Sequence, residues 1–333
     1  MLTIRDYYDE KDSGILFSIF IGTIIVASSL LALISGFIGE GIGLTEQQIS
    51  EHVFLNWFIQ GGVYVLLFFV ILFYFRGTKL NAVKSNGLNV KFNFVDYIIF
   101  IVLAGGMFLT LLTVNYFYSY FLQEIGYVSK SRFLEINSVW AFIAAILIMC
   151  VLPAVCEETV FRGAVLSGFS KVFKSVWAIV ISALLFMLMH MNIPQFVNAF
   201  LCGLVLAVLV KKTGSIIPGI VVHFVNNFII VLIEFILSFQ TNDIESERIV
   251  LDGETVLPFL LLTAIGAGLL IAGFMYIRSR FKNKKEPDGG SEDSLLKGYS
   301  ITNVKAVSKQ KTILYALTGI VLAVLMTVLN LVL

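Results

Sequence analysis

Between positions 157 and 227 this 333-residue sequence gathers side chains suited to hydrolysing a bond, set among strongly apolar neighbours. The first group is Cys156-Glu157-Glu158-Thr159-Val160-Phe161-Arg162-Gly163. Glu158 and Arg162 are four apart with the acid first, the favourable order for a helical ion pair. Glu157 points about 100° further round the helix, so it is not the natural partner of Arg162 and stays available as a general base. Pro153, one turn earlier, cannot donate to the carbonyl of Met149, and a bend there would open space beside Glu157. The second group, Phe186-Met187-Leu188-Met189-His190, ends an apolar stretch on one of only three histidines. The third is His223-Phe224-Val225-Asn226-Asn227, in which His223 and Asn227 share a helix face and Asn226 is a neighbour. Two hydrogen-bonding side chains aimed at one point can hold a developing oxyanion.

Each group also has an ordinary explanation. A Glu–Arg pair ending a span reaches headgroups, a lone histidine is more often packing, and polar side chains within membranes bond neighbouring helices. Taken together, the three describe one water-activating site, with Glu157 as base, His190 sharing the water, and His223 with Asn227 at the oxyanion. Glu158 and Arg162 support it. Other polar residues receive lesser readings: none for His52, a structural bond for Glu234, and interhelical bonds for Asn115, Gln195 and Asn198.

These groups must be positioned by membrane helices. The chain is 58% hydrophobic and 14% charged, with a mean hydropathy of +0.93, whereas soluble domains carry about a quarter charged residues. Runs near the 20 residues that cross a bilayer occur at nine places: 14–38, 53–75, 96–122, 138–158, 176–191, 193–210, 216–239, 257–277 and 312–333. The fifth and sixth are short and joined by a tight Met-Asn-Ile-Pro connection. With the N-terminus cytoplasmic, 20 of the 23 Lys and Arg fall in inner segments, as the positive-inside rule requires. Cys150, Cys156 and Cys202 sit in apolar stretches and build no disulfide framework.

The expectation is an all-α, polytopic transmembrane helical bundle, an eight-helix body plus one C-terminal span. Residues 1–135 would hold three helices, 136–240 the catalytic core, 241–283 the eighth helix, 284–311 a cytoplasmic linker and 312–333 the last span. The first span is too long for a cleavable signal, so the chain is expected to be an integral, multi-pass protein of the cell membrane.

The motifs Glu157-Glu158…Arg162, Phe186…His190 and His223…Asn227, in this order, resemble the CAAX protease and bacteriocin-processing (CPBP or Abi) family, which includes the type II CAAX prenyl endopeptidases. The stretch from Gly203 through Lys212-Thr213-Gly214-Ser215-Ile216 to His223 is similar to the family's approach to its third motif. The resemblance covers about 140–230. It implies an intramembrane endopeptidase in which Glu157 and His190 activate water, His223 and Asn227 stabilise the oxyanion, and Glu158 and Arg162 support them. The family has been described both as metalloproteases and as glutamate-dependent, so Zn²⁺ on Glu157, His190 and His223 stays open, although no His-Glu-x-x-His helix is present. Expected partners are the lipid bilayer and a peptide or protein tail, lipidated or not, taken up from the cytoplasmic side, with no nucleic acid. The alternative is a non-catalytic scaffold or bacteriocin self-immunity protein of the same fold. A transporter is disfavoured because no inverted repeat of broken helices is seen.

Overall fold

A computed structural model describes residues 4–127, 136–239, 249, 251–281 and 309–332. The proposed linker 284–311 lies almost wholly outside the described residues, as do Lys130, Arg132 and Arg248. The described chain is helical, with no strand and one isolated backbone bridge between Arg5 and Leu80. Among the described residues nine helices form the bundle: α1 Glu10–Gly41, α2 Val53–Thr78, α3 Phe94–Glu124, α4 Val139–Ser170, α5 Ser175–Met189, α6 Ile193–Thr213, α7 Ile217–Leu237, α8 Gly253–Phe281 and α9 Lys309–Val332. Eight are long and apolar enough to cross a membrane. This is a multi-pass, all-α membrane bundle.

The fifth predicted span departs from expectation. α5 has 15 residues, about 22 Å of helix against a hydrocarbon core of about 30 Å. Met191 then turns the chain in the left-handed region at φ 47°, and Pro194 occupies the first turn of α6, where a missing N–H does no harm.

The fourth span differs more. It does not stop at 158 but runs to Ser170, 32 residues in all. Two π-helical segments, Ile146–Val151 and Thr159–Val165, bracket Leu152–Glu158, and π-turns inside helices are frequent at functional sites. Cys156 to Leu166 is buried without a break. Arg162, expected in a cytoplasmic segment, is 1% exposed. It therefore leaves the tally of inner charges.

Close approach by small residues holds the outer pairs together, as in many membrane bundles. α1 meets α9 where Gly14 faces Tyr315 and Gly319 faces Phe17, and Ser18 Oγ donates to the Tyr315 carbonyl at 2.9 Å. α3 meets α8 at Gly106 and Gly266. α4 lies between α1 and α2 on one side and α7 on the other.

Candidate active site

The fourth helix supplies the acids. Glu158 accepts from Arg162 Nη1 at 2.6 Å, with both side chains wholly buried, as the four-residue spacing predicted. Arg162 Nη2 also donates to the Gly203 carbonyl on α6 at 3.3 Å, and its guanidinium lies 4.2 Å over the Phe186 ring. Such stacking stabilises a desolvated cation.

α7 adds the second histidine. His223 Nδ1 is 3.1 Å from Glu158 Oε1. Because a carboxylate only accepts, that contact places the proton on Nδ1 and leaves Nε2 free. Nε2 faces Glu157 Oε2 at 3.9 Å, too long for a direct hydrogen bond. Gly219, one turn earlier on α7, makes the approach possible: a Cβ there would come 2.6 Å from Glu158 Oε2.

Glu157 itself is 3% exposed. Its Oε1 accepts from the Tyr64 hydroxyl at 2.6 Å. Tyr64 lies on α2, outside every motif singled out from the sequence. A signal for it exists: Asn56, Gln60 and Tyr64 recur at four-residue spacing in the second span, and all three line one cavity of about 490 Å³.

Glu157 and His190 line that same cavity. His190 Nδ1 donates to the Phe186 carbonyl at 2.9 Å, so its Nε2 also keeps a lone pair. The Phe186 ring stands edge-on to both imidazoles, 5.0 Å from His190 and 5.9 Å from His223 between centroids. Measured from the ends of the predicted spans, Glu157 and His190 stood at different depths. The longer α4 removes that difference. Glu157 lies 13 residues before Ser170 and His190 15 residues after Ser175 on the returning arm, or about 20 and 22 Å of helix.

Asn227 makes no hydrogen bond to either acid among the described residues. Its Nδ2 donates to the Met149 carbonyl at 3.0 Å, the group that Pro153 leaves without its usual helical donor. Asn226 Nδ2 donates to Asn227 Oδ1 at 3.4 Å. Gln195, read as an interhelical bond, lines the cavity instead. On α1 the cavity is lined near the middle of the helix, by Ile24 and Ser28, and on α2 it runs from Leu67 to Asn56.

Residues 138–229 match the family model described as Type II CAAX prenyl endopeptidase Rce1-like. The matched stretch is similar to an Rce1-like domain. It contains all three motifs and agrees with the extent of the resemblance. The Rce1-like match supports a CAAX-type intramembrane protease in general, acting on a peptide or protein substrate at the membrane. No curated protein and no solved structure matched the chain.

A metal would need three ligands converging on one point. Among the described residues, no group of three His, Cys, Asp or Glu side chains does so. In the trio considered from sequence, Glu157 Oε1 is engaged by Tyr64 and His223 Nδ1 by Glu158. As arranged, the three side chains do not converge as a zinc ligand set.

Proposed function

We propose that the protein is an intramembrane endopeptidase that hydrolyses a peptide bond with water activated by Glu157 and His190. The observation that carries this reading is Glu157 itself. The residue lines the cavity; one oxygen is steadied by Tyr64, and the other has no hydrogen-bonded partner among the described residues and stands 3.9 Å from an imidazole nitrogen. A carboxylate so placed can take a proton from water.

Water bound there would donate one hydrogen to Glu157 Oε2 and the other to His190 Nε2. Its oxygen adds to the peptide carbonyl while Glu157 takes the proton. The oxyanion that forms is met by the second N–H of Asn227 and by His223, which enters the step already carrying a second proton on Nε2, taken up from water before the substrate binds and kept throughout, with Glu158 offsetting its charge. Breaking the C–N bond then returns the proton from Glu157 to the leaving amine. Glu158 and Arg162 act by holding His223.

Purified protein in lipid nanodiscs, incubated with a membrane-peptide library and read by mass spectrometry, tests this. Wild type should release new peptide termini, and Glu157→Gln and His190→Ala should not. Equal product from all three would leave a scaffold or immunity role. We further propose that the N-terminus faces the cytoplasm, which protease protection of a terminal tag would check.

A further inference from the structure

A second, smaller cavity lies where the last turns of α4 meet the end of α6 and the start of α7. Its volume is about 40 Å³, room for about three atoms the size of a water oxygen, each of which needs about 10–15 Å³. No peptide fits there. Arg162, Ser167 and Ser170 of α4, Lys211 of α6 and Ser215 before α7 line it, and no Asp or Glu does among the described residues.

This wall holds more donors than the protein uses. Arg162 is 1% exposed and gives Nη1 to Glu158 and Nη2 to the Gly203 carbonyl, yet its Nε has no hydrogen-bond partner among the described residues. The Ser170 hydroxyl, in a residue 6% exposed, has none either. Buried donors are expected to meet an acceptor. Asn86, the carboxamide in the wall, is already engaged at both ends, its Oδ1 by the Tyr8 hydroxyl and its Nδ2 by the Ala82 carbonyl. Charge points the same way. Glu158 offsets Arg162, and Lys211 adds a further cation to the lining. Lys171, Lys174 and Lys212 follow in the adjoining sequence, so the cavity sits at a basic end of the bundle, where anionic headgroups are attracted.

We infer that this cavity binds a terminal phosphate group, either inorganic phosphate or the headgroup of a phosphomonoester lipid, through Arg162 Nε, the Ser170 hydroxyl and Lys211. Three free oxygens of such a group match the three donors in number and charge. Arg162 then joins two sites, holding Glu158 on one side and the phosphate on the other. Nothing in this inference requires the endopeptidase reading.

Full-length protein in maltoside detergent is titrated, by microscale thermophoresis, with inorganic phosphate, a short-chain phosphatidic acid and the matching phosphatidylcholine. At least one of the first two should bind, and phosphatidylcholine should bind at least about tenfold more weakly than that ligand. Phosphatidic acid binding alone assigns the site to lipid, and binding of inorganic phosphate assigns it to the free ion as well. Ser170→Ala and Lys211→Met should each weaken binding by roughly tenfold. Lys212→Met, one residue along and outside the lining, should leave it unchanged. Thermal unfolding without ligand verifies each variant, and Ser170→Ala should be at least as stable as wild type because it removes an unpaired buried hydroxyl. No binding of either anion overturns the inference and leaves a water-filled cavity. Equal binding of phosphatidylcholine, or an equal loss in Lys212→Met, overturns it as well.

Discussion

Two tyrosines on α2, Tyr64 and Tyr74, each donate at 2.6 Å to a carboxylate that is 3% exposed. Near the N-terminus, Asp12 also accepts from both terminal nitrogens of Arg5, at 3.0 and 3.1 Å, and from the Asp9 backbone N–H at 2.7 Å. Its two oxygens are fully engaged. Glu157 accepts from the tyrosine, and its second oxygen makes no hydrogen bond among the described residues, with His223 Nε2 3.9 Å away. Burial is the same and the first partner is the same. What separates the two carboxylates is the number of remaining partners, and in the proposed mechanism a water takes their place beside Glu157.

The sharpest way to break this contrast is to neutralise each acid. Glu157→Gln should lower kcat by roughly 10²–10⁴-fold, the usual worth of a positioned base, with thermal unfolding nearly unchanged. Asp12→Asn should do the reverse, lowering the unfolding temperature while each folded molecule keeps its activity. Similar kinetics in the two variants would erase the distinction.

Next come the arginines. Arg162→Met leaves Glu158 buried without its main counter-charge, which costs about 3–5 kcal/mol where a buried pair is broken. Arg5 is a third exposed, so Arg5→Met should cost much less because water screens its pairs. Denaturation of both in the same detergent would rank them; a larger loss at Arg5 contradicts the picture.

The tyrosines themselves should split by kind of effect. Tyr64→Phe removes a bond to a charged acceptor, about 1.5–3 kcal/mol, and should appear mostly in kcat as a fall of roughly tenfold or more. Tyr74→Phe should appear in stability only. A change confined to KM at Tyr64 would mean that it serves substrate binding instead.

The smallest effect is expected at the C-terminal helix. Asn330 Nδ2 donates to the Met191 carbonyl at 2.9 Å, next to His190, so α9 braces the turn that ends α5. Asn330→Ala should cost about 1 kcal/mol and lower kcat by a few-fold. Unaltered activity would make α9 a packing helix only.

Much of this was legible in residue spacing. Glu158 and Arg162 sit at the separation at which helical side chains meet, and that pair forms whatever surrounds the helix. Eight of nine apolar runs proved long enough to span. Arg162 misled for a physical reason. A cation among apolar residues normally marks a span's end, but here Glu158, the Gly203 carbonyl and the Phe186 ring let the helix carry it through the interior. Tyr64 escaped because a tyrosine in a membrane helix is unremarkable until its hydroxyl is seen to meet an acid 93 positions away.

Sequence by itself determined the class of molecule, the membrane helices, and which charged and polar groups an apolar interior would have to accommodate, because hydropathy and helical spacing are local properties. Only tertiary structure decided which of two buried carboxylates keeps an oxygen without a hydrogen bond. That depends on how many donors from distant helices crowd each oxygen, and no spacing along one helix records it.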